Sequence, residues 1–120
     1  VFSDQWLTEG THLNVIGSNF LNKAEVDDQT VRRAKVIVCD SVEQCKLEAG
    51  EFVTPLEEGA IHWQGIHELA DVVTGRQTGR TTPDDITLFK SVGLAIEDVA
   101  VAARVLELAR ARSIGRPLPW

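Results

Sequence analysis

Three short apolar runs, residues 13–16, 36–39 and 86–89, limit the architectures open to this chain. The middle run, Val36-Ile37-Val38-Cys39, is continuous and rich in β-branched side chains. A half-exposed strand would alternate; a continuous run suits a strand covered on both faces, as in a parallel sheet packed between helices. The segments between the runs have helical signatures. Residues 25–34 carry Asp27 and Asp28 at the start and Arg32 and Arg33 at the end, the order a helix dipole favours. Ser41, followed by Gln44, forms a capping-box pattern for a helix whose apolar face is Val42, Cys45 and Ala49 and whose stop is Gly50. Residues 52–59 read as a turn around Pro55. Residues 66–74 read as a short helix, from Ile66, Leu69, Ala70 and Val73, closed by Gly75. Residues 76–85 read as a Gly- and Pro-punctuated loop.

The last segment, residues 95–113, reads as a long helix with Glu97 and Asp98 first and Arg110 and Arg112 last. Gly115 and Pro117 stop it. Its apolar residues Ile96, Val99, Ala103 and Leu106 are joined by Val101, Val105 and Leu108, a wider arc than one stripe. The order β-α-β-α-(α)-β-α predicts an α/β fold: a three-stranded parallel sheet flanked by helices, with right-handed crossovers. So narrow a sheet and so apolar a helix are expected to meet a partner surface, either more of the same chain or another copy.

In such sheets ligands bind beyond the carboxyl ends of the strands. Two strands here end in small residues that let a ligand approach the backbone. One is in Gly10-Thr11-His12-Leu13-Asn14-Val15-Ile16-Gly17-Ser18-Asn19. The other is in Thr87-Leu88-Phe89-Lys90-Ser91-Val92-Gly93-Leu94-Ala95-Ile96-Glu97-Asp98. Their loops are expected on one sheet edge. Lys90 reads as facing solvent or an ion pair, and Glu97 and Asp98 as first-turn helix acids. A complete dinucleotide-binding fold also carries a Gly-x-Gly-x-x-Gly turn between its first strand and helix. No such turn occurs in this sequence.

Charge and composition narrow the partners. A formal charge of −6 disfavours nucleic acid and anionic membranes, which need a basic face. No apolar run reaches the roughly 18 residues that span a bilayer, and no basic-then-apolar leader is present. Cys39 and Cys45 are not at a Cys-x-x-Cys spacing and read as small buried residues of a cytoplasmic protein. His12, His62 and His67 lack the i, i+4 spacing of a helical metal pair, so no metal site is expected. The chain starts at Val1 and contains no methionine, which reads as a piece of something longer.

Nearly the whole chain resembles the second half of the ornithine cyclodeaminase/mu-crystallin family. The resemblance is carried by Gly10–Asn19, by Lys23-Ala24-Glu25, and by Phe89-Lys90-Ser91-Val92-Gly93 followed by Glu97-Asp98. It implies that residues 1–120 are the C-terminal half of a Rossmann-like NAD(P)-binding domain. Residues 95–115 would be its long last helix, and 116–120 a tail leading back to a substrate domain. The phosphate-holding turn would lie upstream, so the piece alone is expected to be inactive.

Carried over by position, the resemblance makes Ile16, Gly17, Ser18, Asn19, Lys23 and Ser91 contacts of NAD or NADP. It puts Val92 on the substrate side. Asn19 stands where ornithine cyclodeaminases have a catalytic aspartate; an amide has no titratable proton and cannot act as a general base. Hydride transfer stays open, because the cofactor carries that step. The resemblance therefore implies a reductase or dehydrogenase of a small amino or imino acid; the bare apolar helix and sheet edge add the expectation of a homo-oligomer. The alternatives within it are an ornithine-type cyclodeaminase and a mu-crystallin-like binder of cofactor or ligand.

Overall fold

The computed structural model of the chain describes residues 2–116 together with Leu118 and Pro119, so the expected stop at Pro117 lies outside the described residues. Four parallel strands form one sheet: β1 (His12–Val15), β2 (Val36–Cys39), β3 (Ile66–Glu68) and β4 (Thr87–Lys90). Their spatial order is β1-β4-β2-β3. The three expected strands are neighbours, with Leu13 opposite Leu88 and Leu88 opposite Ile37. The sheet has four strands rather than three, because the segment expected to be a helix over 66–74 opens as β3. Ile66 is buried in the core and pairs with Ile37, while the helix α4 begins only at Leu69 (Leu69–Val73).

Two further expectations shift for local reasons. Helix α1 spans Asp28–Arg33 and starts three residues later than expected, because Phe2 pairs with Val26 and holds residues 25–27 extended. Asp27 is therefore the N-cap, accepting from the backbone N–H and the hydroxyl of Thr30. The expected turn around Pro55 is helical: a 3-10 turn at Gly50–Phe52 runs into α3 (Val53–Glu57). Pro55 sits in the first turn of α3, where no intrahelical N–H is required. Helix α2 (Val42–Glu48) is capped as expected, with Ser41 Oγ accepting from Gln44 N at 3.2 Å. The Gln44 side chain does not return to Ser41, however; it bonds Glu48 instead.

The two faces of the sheet differ. On one, Val15, Ile37, Cys39 and Leu88 meet Val31 of α1, Cys45 of α2 and Phe52 in the main core. Phe52 stacks edge-on against Trp63, with centroids 6.0 Å apart. Cys39 and Cys45 are both buried and free, as expected; the neighbouring Cys45 thiol and burial push the Cys39 thiol well up. On the other face, His12, Val36, Val38 and Thr87 are met by Leu69 and Val72 of α4 and by Gly79 and Arg80, leaving a hollow of about 290 Å³.

Helix α5 (Ala95–Ala111) projects from this body. None of its residues is buried, and Ile96, Val99, Val101, Val105 and Leu106 are each more than half exposed. The radius of gyration is 17.5 Å, against about 14 Å for a compact chain of this length. A 17-residue helix, about 25 Å long, accounts for the difference.

Gly50 marks the tightest approach in the body. A Cβ there would lie 2.0 Å from the Lys23 carbonyl oxygen and 2.8 Å from those of Phe20 and Leu21. All three are backbone atoms and cannot swing aside. Gly50→Ala is expected to cost at least about 1–3 kcal/mol in a denaturation experiment. Gly65→Ala, where nothing lies within 4 Å, is expected to be close to neutral.

Two carboxyls make the fold sensitive to acid. Burial pushes Asp27 up, but the Thr30 hydroxyl and the backbone N–H groups of Asp4 and Thr30 outweigh it and bring it down to about 2. The Lys35 ammonium, then the Thr81 and Thr82 hydroxyls, hold Asp85 well below the usual carboxylate range. Groups depressed in the folded state contribute stability that is complete above their unfolded value near about 4. That contribution is lost as pH falls through the folded value. Stability is thus expected to hold from pH 7 to 5 and to fall below about pH 4. Asp27→Ala is expected to cost about 1–2 kcal/mol at pH 7, a difference that shrinks as the pH drops toward 2.

Candidate functional site

Strands β1, β4 and β2 end on one edge of the sheet. Their continuations are residues 16–19, residues 91–93 and Asp40 with Ser41. Ser91 N donates to Val15 O at 3.0 Å, so the first two loops leave adjacent strands side by side. The expectation that they share an edge is met.

Residues 17–23 are held by an ion pair in the protein interior. Lys90 is fully buried, and its Nζ donates to Ser18 O at 2.6 Å and to Glu51 Oε1 at 3.2 Å. Glu51 Oε2 lies 3.1 Å from the same nitrogen. Of the two expected surroundings of Lys90, the ion pair is present and solvent is absent. Glu51 Oε1 also accepts from Glu25 N, and Glu25 Oε2 from Gly17 N at 2.7 Å. A chain of charged groups thus runs from the end of β4 through the 3-10 turn to the loop after β1.

Residues 91–93 hang on Asp40. Its Oδ2 accepts from Ser91 Oγ at 2.7 Å, Val92 N at 3.0 Å and Gly93 N at 2.9 Å; its Oδ1 accepts from Ser41 N at 2.8 Å. Gly93, at φ +86°, supplies the left-handed residue that turns the chain into α5.

The seven residues singled out from the sequence occupy this edge differently. Ile16, Gly17, Asn19 and Lys23 are exposed, and Ile16 is 65% accessible. The Lys23 ammonium stands 5.0 Å from the Phe20 ring centre. Ser18 is buried, Ser91 is partly accessible, and Val92 is buried in the core beneath its turn. Asp40, Lys90 and Glu51, which organise both loops, were not among them. Lys90 did leave a trace: Leu88, Lys90 and Val92 alternate, so period two turns Lys90 inward, where a charge needs a partner.

Two hollows lie elsewhere: one of about 480 Å³ at the opposite end of the sheet beside Lys35 and His62, and one of about 490 Å³ at the end of α5. Neither touches the loops after β1 and β4. Among the described residues no group of three or more His, Cys, Asp and Glu side chains is arranged to hold a metal ion.

Removing Lys90 leaves the Glu51 carboxylate buried without its counter-charge. Lys90→Met is expected to cost about 3–5 kcal/mol of stability. The double replacement Lys90→Met/Glu51→Leu is expected to recover most of that loss in chemical denaturation, because it removes both desolvated charges.

Residues 1–113 match the ornithine cyclodeaminase/mu-crystallin family. The chain is 39% identical to alanine dehydrogenase of Archaeoglobus fulgidus, over its whole length and 37% of that enzyme. It superposes on the Δ1-pyrroline-2-carboxylate reductase of Thermococcus litoralis, solved with NADH and L-proline, with a TM-score of 0.84 and 41% identity. That match covers 98% of this chain and 36% of the other. An archaeal alanine dehydrogenase dimer with bound NAD gives 0.78 and 36% identity, over 100% of this chain and 37% of the other. The chain therefore spans little more than a third of the length of these relatives. With both strand-end loops inside the matched region, the chain belongs to the ornithine cyclodeaminase/mu-crystallin family.

Proposed function

We propose that residues 1–120 are the C-terminal half of the NAD(P)-binding domain of an amino- or imino-acid reductase or dehydrogenase. In this reading residues 95–115, which are helical only over Ala95–Ala111 rather than to the expected end, close the domain, and 116–120 lead back toward a substrate domain. The observation that carries it is the shared edge: the loops after β1 and β4 meet there, bonded through Ser91 N to Val15 O and Lys90 Nζ to Ser18 O. The likeness to alanine dehydrogenase and to a reductase solved with NADH supports it.

The residues present fit one end of a dinucleotide. Exposed Ile16 offers an apolar surface, Asn19 an amide, and Ser91 a hydroxyl oxygen beside a glycine turn. The turn that would cradle a pyrophosphate is missing from this sequence. We assign Ile16, Gly17, Ser18, Asn19, Lys23 and Ser91 to NAD or NADP. Val92 is assigned to the substrate side, which it backs from the core. The cofactor, when bound, supplies or takes the hydride; the chain's own residues bind and orient it.

The remaining parts of the reading concern setting and assembly. Free buried cysteines suit a cytoplasmic protein. No helix among the described residues is long and apolar enough to cross a membrane. The bare apolar faces of α5 suit burial in a homo-oligomer or against the rest of a longer chain.

The whole protein, assayed by NAD(P)H absorbance, is expected to reduce a cyclic imino acid, or a 2-oxo acid in the presence of ammonia. Ornithine should release no ammonia. Asn19→Asp alone should not confer that release, although a working general base is worth about 10²–10⁴-fold. Proline and ammonia formed from ornithine by the unmodified protein would overturn the reading.

A further inference from the structure

We infer that Asp40 is a positioning residue that sets the hydrogen-bond polarity of Ser91, leaving the serine oxygen able to accept from a ligand but not to donate. This rests on the proposed assignment of Ser91 to NAD or NADP, and takes the nicotinamide carboxamide as the group that the serine meets. Nothing in the sequence points to Asp40, which looks like an ordinary acid preceding a helix. In the structure it is nine-tenths buried and both its oxygens are occupied.

The polarity follows from donors that cannot reverse. The backbone N–H groups of Val92 and Gly93 point at Oδ2, at 3.0 and 2.9 Å, and Ser41 N–H points at Oδ1. Oδ2 is therefore an acceptor, and Ser91 Oγ, 2.7 Å away, directs its only hydrogen there. A hydroxyl has one hydrogen and two lone pairs. One lone pair faces Gly93 N at 3.2 Å. The other is left for a ligand, and it accepts. A carboxamide presents an N–H2 donor and a carbonyl acceptor; this serine recognises the donor. A dinucleotide carrying an acetyl group in place of the amide keeps the carbonyl and loses the donor, so it should bind worse.

The test compares NADH with reduced 3-acetylpyridine adenine dinucleotide by titration calorimetry on the whole protein. The wild type is expected to favour NADH by roughly fivefold or more, the worth of one net hydrogen bond. Asp40→Ala frees the Ser91 proton, and Ser91→Ala removes the acceptor; each should bring the preference within about twofold. Asp40→Asn should retain the preference, because its amide oxygen is drawn to the side with three donors. A role confined to folding would shift both affinities together and leave their ratio unchanged.

Retained discrimination in Asp40→Ala or in Ser91→Ala overturns the inference. So does equal wild-type binding of both dinucleotides, which leaves the proposed function standing. Binding of neither overturns that function and the inference with it. Should Asp40→Ala fail to fold, Ser91→Ala decides the polarity, since it leaves the carboxylate untouched.

Discussion

The carboxyl edge of the sheet depends on a charge that water cannot reach. Lys90 continues a strand whose neighbouring inward residues are Leu88 and Val92, so its ammonium is carried into the core. Stripping water from an ammonium and a carboxylate costs several kcal/mol for each, and only close pairing with further hydrogen bonds offsets it. Glu51 supplies the counter-charge and the Ser18 carbonyl the further bond. Glu51 can stand there because its neighbour Gly50 has no side chain, which lets the carbonyls of Phe20, Leu21 and Lys23 settle against the backbone. The loop after β1, the 3-10 turn and the end of β4 consequently form one unit.

Asp40 plays the corresponding part for the second loop by a different means. Among the described residues no cation faces it; four hydrogen-bond donors, three of them backbone N–H groups, do. The two loops, bonded to each other, are thus held by different means, one by an ion pair and one by converging dipoles. A site assembled across them inherits rigidity from both.

Most of the architecture was legible because its signals are local. The continuous run Val36–Cys39 and the dipole-ordered charges of α1 and α5 need no knowledge of distant residues. β3 was illegible for the converse reason. Ile66-His67-Glu68 buries one side chain and has neither a continuous run nor a clear alternation, while Ile66, Leu69, Ala70 and Val73 mimic a helical face. Pairing with β2 decides its form, and pairing is a tertiary fact. At the edge, the loops were readable as strand ends, but their supports were not. Glu51 lies 39 residues from Lys90, and Asp40 lies 51 residues from Ser91. Ser41 with Gln44 resembled a reciprocal cap, yet Asp40 takes the N–H that Gln44 would have claimed.

The strand order carries a consequence for how the chain reaches this state. β4 lies between β1 and β2, yet His12 and Thr87, which face one another across the β1–β4 pair, are 75 residues apart. As the chain leaves the ribosome, β2 can pair with β3 once Glu68 has emerged, but β1 gains its neighbour β4 only when almost three quarters of these residues are out. Closing so long a loop is slow, and unpaired strands are adhesive while they wait. β4, one of the two inner strands, works as a keystone laid last. Joining β1 to the β2–β3 pair should accordingly be a late event, absent from partial chains that end before Thr87.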